Sequence, residues 1–301
     1  MDANKSGPKP GQTDDRRSET AAANSPHVLT ERRGAVGIIT IDRHEHFNSL
    51  DVVTAQDLRR AGLRFARDDT VRTVVIRGAG GVFSSGADLK YVRAGGDGGD
   101  LDYLKAGAQS QPGGFGDVLK QIVEYIHSTI SEIRRAPKPF IAAVDGVAAA
   151  GGFGIAMACD LVIASERASF EWAYGRTGLT GAESSTFFLP RLLGLRRAME
   201  LVLLSPRLDA QRALELGLIT AVHPSANFEA EVFALAERLA AGPTRAWAAA
   251  KMLINQACGI DGLEPHMGSE LESLTRVANG RDFADGLDAF FTKRPPRFRG
   301  E

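Results

Sequence analysis

Four short runs of this chain are apolar at nearly every position: residues 35–41 (AVGIITI), 71–77 (VRTVVIR), 140–144 (FIAAV) and 161–164 (LVIA). A strand with one wet face alternates apolar and polar side chains. A strand without that alternation has both faces covered. Between these runs the periodicity turns helical. Ser49 or Asp51 can cap a helix to about Arg67, and residues 118–135 carry apolar side chains at 118, 119, 122, 123 and 126 before Pro137 and Pro139 end the pattern. Residues 148–159 (AAAGGFGIAMAC) open on glycines and read as a further helix. Strands alternating with helices in this way predict an α/β core with parallel sheets.

The flanking segments set the organisation. Residues 1–27 hold no Leu, Ile, Val or aromatic side chain. Such a stretch buries too little apolar surface to offset its ordering entropy, and it is predicted to be a disordered tail. Residues 93–116 hold eight glycines and read as a mobile loop with one short helix, suited to a lid. After Ser184 the stretches 196–204, 209–217, 228–241, 244–258, 263–279 and 281–293 all carry helical spacing, interrupted by one strand at 219–222. The expected division is a core over 28–222 and a helical C-terminal region over 223–301.

Composition excludes several classes. Lys and Arg number 36 against 37 Asp and Glu, a net charge of -1, which argues against a nucleic-acid binder. Two cysteines, Cys159 and Cys258, cannot build a disulfide scaffold, and both lie in apolar, helix-like stretches that suggest buried, inert thiols. No apolar run reaches the roughly 20 residues of a membrane span, and no apolar stretch follows Arg16-Arg17 as a twin-arginine signal requires. A soluble, cytoplasmic protein is expected.

Most catalytic signatures are absent. Gly81-Val82-Phe83-Ser84-Ser85-Gly86 has the wrong spacing for a nucleophile elbow. Gly152-Phe153-Gly154 begins a dinucleotide fingerprint, but Met157 stands at its third glycine. His44 and His46 lie two apart without a Cys or carboxylate cluster, so solvated loop histidines compete with a metal site and no metal is assigned. Basic groups at Arg134, Arg135 and Lys138, and from Lys293 to Arg299, are either solvated faces or attractors for a phosphate-bearing ligand.

Two glycine-bearing turns carry more information. FSSGADLK (83–90) and DGVAAAGG (145–152) each follow a buried strand and lead into a predicted helix start. A helix N-terminus offers unpaired N–H groups, and glycine lets a ligand approach the backbone. Two such ends aimed at one point would stabilise an oxyanion. Either turn alone is equally a tight strand-to-helix connection.

Together the turns resemble those of the crotonase superfamily of enoyl-CoA hydratases and isomerases. The resemblance runs colinearly through IDRHEHFNSL (41–50), FSSGADLK, residues 137–165, SFEWAYGRTGL (169–179), residues 185–203, ALELGLITAV (213–222) and FFTKRPPRFRG (290–300). It implies a spiral of ββα turns forming two stacked sheets, with a helical C-terminal region that assembles a homotrimer or a dimer of trimers. It implies an acyl-CoA thioester as substrate and no tightly bound cofactor. By position, Ala87 and Gly151 would supply the oxyanion amides. Asp88, Leu89 and Lys90 would follow in the segment contacting coenzyme A, His46 and Phe47 would lie near its adenosine part, and Lys293 would approach it from the C-terminal motif.

The chain also departs from the family's hydratases. Where they carry two glutamates, this sequence has Gly154 and Tyr174. Hydration needs a base for water and an acid for the α-carbon, and neither residue replaces that pair. Glu183 sits one position later than the acid of related isomerases and dehalogenases. It is the candidate for a single proton shuttle, or else it caps the helix that starts near Ser184-Ser185. Glu171 and Tyr174 are secondary candidates, and the Tyr174 ring is suited to line an acyl pocket. A double-bond isomerase is therefore expected. The alternatives are a hydratase with weak hydration and a catalytically silent acyl-CoA-binding protein.

Overall fold

The computed structural model describes residues 27–96 and 114–301. All but the last residue, His27, of the expected tail over 1–27 and most of the expected loop over 93–116 lie outside the described residues. The described chain has nine strands: β1 (Val28–Arg33), β2 (Val36–Ile41), β3 (Thr73–Gly78), β4 (Phe140–Val144), β5 (Val147–Ala149), β6 (Leu161–Ser165), β7 (Ser169–Glu171), β8 (Leu208–Asp209) and β9 (Ala221–His223). Its helices are α1 (Val52–Arg67), α2 (Leu89–Arg93), α3 (Phe115–Arg135), α4 (Gly151–Ala158), α5 (Ser185–Leu193), α6 (Leu195–Leu204), α7 (Ala210–Glu215), α8 (Phe228–Ala241), α9 (Thr244–Ala257), α10 (Leu263–Ala278) and α11 (Arg281–Thr292).

The four apolar runs all become neighbours in one sheet of order β1-β2-β3-β4-β6-β9. Only its edge pair β1–β2 is antiparallel. Val36, Ile38, Val75, Ile141 and Ile163 face α8 and pack on its Phe228, Val232, Ala236 and Ala240. Ile39, Ile41, Val74, Ile76, Ala142 and Val144 belong to the larger core, which α1 and α3 share. Both faces are dry, which explains the missing polar alternation.

A smaller sheet, β5-β7-β8, is threaded through the first. Strands β2, β3, β4 and β6 each pass into a short segment of the second layer before the next helix. The sequence β4-β5-α4 shows one full turn. Isolated bridges of Ala87 with Leu50 and of Ser84 with Ala148 mark the same step in the preceding turns. This is the expected ββα spiral of two stacked sheets.

Several local expectations are corrected. The helix expected over 148–159 starts only at Gly151, because Val147–Ala149 pairs with β7. Strand β1 (VLTERR) went unforeseen because only its first residue is buried. Strands β7 and β8 have three and two residues, too short to show a period. The strand expected at 219–222 lies at Ala221–His223, and the buried Leu218 and Ile219 precede it. Cys159 is buried, and burial pushes its thiol pKa up; Cys258, however, is exposed where α9 ends. Among the described residues no helix is long and apolar enough to cross a membrane.

One buried ionic clamp fixes the entry to the site. Asp51 caps α1 by accepting from the Thr54 amide at 2.8 Å, and Asp88 caps α2 by accepting from Lys90 and Tyr91 at 3.0 and 3.1 Å. The Arg43 guanidinium lies 3.0 Å from Asp51 and 3.1 Å from Asp88, and donates to the Ser49 carbonyl at 2.6 Å. Removing one partner of a buried pair leaves an uncompensated charge, at a cost of about 3–5 kcal/mol. Arg43→Met should therefore lower the unfolding free energy by that amount, read as a lower urea midpoint at unchanged m-value. A loss below about 1 kcal/mol would place the clamp with exposed ion pairs instead.

Candidate active site

The segment Ser84–Asp88 is held from both sides. Leu50 donates to the Gly86 carbonyl at 2.8 Å and accepts from the Asp88 amide at 2.9 Å. On the other side Ala149 donates to the Ser84 carbonyl at 2.9 Å. Backbone groups alternate along an extended chain, so the Ala87 amide between these two bonds points away from Leu50. It donates to no described residue. The Gly151 amide opens α4 and has no partner within that helix, as at any helix start. The two turns touch: a Cβ on Gly86, whose φ is +90°, would lie 2.8 Å from the Ala150 Cβ and 3.0 Å from the Gly151 nitrogen. Glycine at 86 thus permits both a left-handed backbone and the approach of the two amides.

Both amides line a cavity of about 420 Å³. Its apolar wall includes Leu119, Val123, Leu179, Leu274 and Phe291. Of the residues singled out in the sequence, the structure gathers Ala87, Gly151, Glu171, Tyr174 and Glu183 around it, with His46, Phe47, Asp88, Leu89 and Lys90. Lys293 is exposed at the end of α11 and does not line it. The Asp88 carboxylate is taken up by Arg43 and α2. Burial works to raise its pKa, but the Tyr91 amide and Arg43 outweigh burial and hold it below the usual carboxylate range. His44 pairs with Asp42 at 2.9 Å, and no metal-ligand cluster occurs among the described residues.

Glu183 is the buried acid of this cavity, 2% exposed. A Cβ built on Gly151 would meet its Oε1 at 3.1 Å, so the carboxylate packs against the bare α-carbon of Gly151. Tyr174 donates its hydroxyl to Oε2, leaving Oε1 on the Gly151 side. Burial raises the Glu183 pKa to about 7, the Tyr174 hydrogen bond opposes that rise, and the nearby Glu270 charge adds to it. Tyr174 is itself held protonated, its pKa pushed up by burial and then by Glu183. Its ring stacks obliquely on Trp172, with centroids 4.9 Å apart.

Gly154 makes room for this arrangement. A Cβ there would fall 2.5 Å from the Glu183 carbonyl oxygen and 2.6 Å from its Cβ. The position without a side chain is the one against which the Glu183 backbone packs. Glu171 lines another part of the cavity and pairs with Arg176. Burial raises its pKa, and Arg176 and Arg207 oppose the rise.

Glu183 does not cap the helix that follows it. Helix α5 is capped by a different acid, Glu270 of α10, which accepts from the Ser184 amide at 2.8 Å and from the Thr186 amide at 3.0 Å. The Glu183 amide donates to His127 Nε2 at 3.1 Å. Sequence reasoning missed Glu270 and His127, although both carried a signal. Glu270 interrupts the buried stripe Leu263, Met267, Leu274, Ala278 of α10, and His127 stands beside the buried Ile126 and Ile130 of α3. A polar residue on an apolar stripe needs a buried partner.

Known proteins match nearly the whole described chain. A family model described as enoyl-CoA hydratase/isomerase matches residues 31–301. The 4-chlorobenzoyl coenzyme A dehalogenase-2 of Arthrobacter sp is 32% identical over 267 residues, 89% of this chain and 91% of that protein. The 1,2-epoxyphenylacetyl-CoA isomerase of Escherichia coli (strain K12) is 30% identical over 274 residues, 91% of this chain and 98% of that protein. The crystal structure of an enoyl-CoA hydratase from Mycobacterium avium subsp. paratuberculosis K-10 superposes with a TM-score of 0.78 at 33% identity, covering 91% of this chain and 98% of that chain.

The raised acid makes stability depend on pH. Folded Glu183 holds its proton up to about pH 7, whereas the unfolded chain releases it near 4.5. Its contribution is therefore complete below the unfolded value and is lost as pH rises through the folded one. The unfolding free energy of wild type minus that of Glu183→Gln should fall by about 3 kcal/mol from about pH 4.5 to about pH 8. A difference that stays flat across this range would mean an ordinary carboxyl.

Proposed function

The chain belongs to the enoyl-CoA hydratase/isomerase family, and from that premise we propose that it is an acyl-CoA enzyme with a crotonase fold that shifts a double bond through a thioester enolate. One observation carries this reading: the Glu183 carboxylate lies against Gly151, whose amide opens α4. A thioester carbonyl bound by the Ala87 and Gly151 amides would place its α-carbon next to a base. Fixed backbone donors stabilise a developing oxyanion without reorganising, for several kcal/mol of barrier. Glu183 Oε1 would take a proton from C2 of a 3-enoyl thioester. The electrons move onto the carbonyl oxygen as a dienolate, and Glu183 returns the proton at C4 to give the 2-enoyl isomer. One carboxyl near neutral pKa suffices for both steps.

The remaining roles follow from position. His46 and Lys90 line the cavity mouth as exposed cations or donors suited to the phosphates of coenzyme A, with Phe47 beside them. Leu195, Met199 and Leu203 form an exposed apolar stripe on α6, and Met252, Leu253 and Ile254 expose another patch on α9. Such surface supports self-association into a homotrimer or a dimer of trimers. A second reading, weak hydration, draws support from Glu171, a second cavity acid with a raised pKa.

Assay with a 3-enoyl-CoA should show isomerisation by wild type and a loss of at least about 10² in Glu183→Gln, with thioester binding retained. Rapid hydration of a 2-enoyl-CoA would overturn the reading, and binding without turnover would mark a silent acyl-CoA binder. Tyr174→Phe removes a hydrogen bond that lowers the Glu183 pKa. The acid limb of its kcat/KM profile should move to higher pH; an unmoved limb would separate Tyr174 from the base.

A further inference from the structure

We propose that Glu270, on α10 and outside the cavity, is a positioning residue that holds the Glu183 carboxylate against Gly151. The inference rests on the reading of Glu183 as the base. Its starting point is a strained turn. Glu183 and Ser184 are consecutive non-glycine residues with φ of 50° and 58°. Such residues are strained and persist only where their surroundings over-determine them. Here the turn is held amide by amide from two other helices. His127 of α3 accepts from Glu183, and Glu270 accepts from Ser184 and Thr186 and also from the Thr186 hydroxyl.

The geometry makes Glu270 the stronger of the two restraints. It spans the turn with both oxygens, one on each of two amides, whereas His127 takes a single amide. Glu270 is 5% exposed and does not line the cavity, so it does not reach a substrate bound there. If it let go, Ser184 and Thr186 would lose their acceptor in a dry interior, and the turn would relax toward ordinary dihedrals. The Glu183 carboxylate would then leave its place against Gly151. A displacement of about 1 Å at a reacting group typically costs about 10² in rate.

The charges around Glu270 are few. His127 Nε2 lies 3.7 Å from it, but that nitrogen already accepts from Glu183 and therefore carries no proton. Burial and the neighbouring His266 push the His127 pKa down to about 4. His266, half-exposed on α10 itself, sits 3.8 Å away and shares the Thr186 hydroxyl at 2.8 Å. Tyr174 and Glu183 complete the set, both made harder to ionise by Glu270. A neutral residue at 270 would remove a like charge and let Glu183 ionise at lower pH.

The test uses the full chain carrying Glu270→Gln, with Glu183→Gln for comparison. Two readouts separate the ideas: turnover of 3-enoyl-CoA, and titration of the Glu183 carboxyl by infrared difference against Glu183→Gln. In Glu270→Gln we expect kcat to fall by about 10–100-fold with KM little changed, and the carboxyl to titrate at lower pH. A folded Glu270→Gln with wild-type kcat and an unmoved titration overturns the proposal. A lowered titration with full turnover in both variants supports the coupling but overturns Glu183 as base. An unmoved titration with Glu183→Gln inactive overturns the coupling and leaves the base standing. Should Glu270→Gln not fold, Glu270→Asp keeps the charge but is one methylene too short to span both amides. It should keep the titration and lose kcat; wild-type kcat there overturns the proposal.

Discussion

The site depends on the pairing of Leu50 with the chain on either side of Ala87. Two hydrogen bonds, of 2.8 and 2.9 Å, occupy the Gly86 carbonyl and the Asp88 amide. Strand geometry then forces the Ala87 amide to the opposite side, where no strand meets it. Such an amide is left unpaired at a cost, and the structure tolerates it because everything around it is locked. Arg43 ties the caps of the two flanking helices together, and the Ser84–Ala148 bridge ties this turn of the spiral to the next. The second free amide comes at no such cost, since every helix begins with unpaired donors. A parallel, doubly covered sheet supplies the rigidity that both require.

Around these amides, burial sets the acid–base properties more than any partner does. At Glu183 and Tyr174 desolvation is the largest influence, and the hydrogen bond between them opposes the rise on one side while adding to it on the other. The phenol therefore remains a donor while the carboxyl is poised near neutrality. Asp88 is the contrast within the same cavity. It too is buried, yet backbone amides and a guanidinium outweigh desolvation and keep it ionised. Two carboxyls lining one cavity are thus set apart by what surrounds them: one stays ionised and caps a helix, and the other keeps its proton toward neutral pH.

Much of this was legible before any coordinates, and the pattern of what was missed has physical causes. The four apolar runs and the cap at Asp51 are local, so periodicity and side-chain type reveal them. The turns at Ala87 and Gly151 were visible as motifs, and both of these residues line the cavity. The short strands β7 and β8 are held by tertiary pairing, and no residue in them advertises it. The role of Glu183 was ambiguous because its sequence position suits a cap; only the arrival of Glu270 from 87 positions downstream, at 2.8 Å from the Ser184 amide, frees it. His127 and Glu270 look like errors in an amphipathic pattern when read singly. They make sense once the helices bearing them converge on one turn.

The bare α-carbon at Gly154 has a meaning for how such a site changes over generations. The Glu183 carbonyl and Cβ occupy the volume that any side chain at 154 would need. A carboxylate rooted in α4 and one delivered by the 183–184 turn are therefore mutually exclusive occupants of one space. Passing from one arrangement to the other requires the turn to withdraw and a side chain to appear together, because either change alone gives a clash or a hole. Such sign epistasis separates lineages that share a fold, and it would keep a chain with this turn committed to a single proton carrier while its acyl pocket remains free to drift.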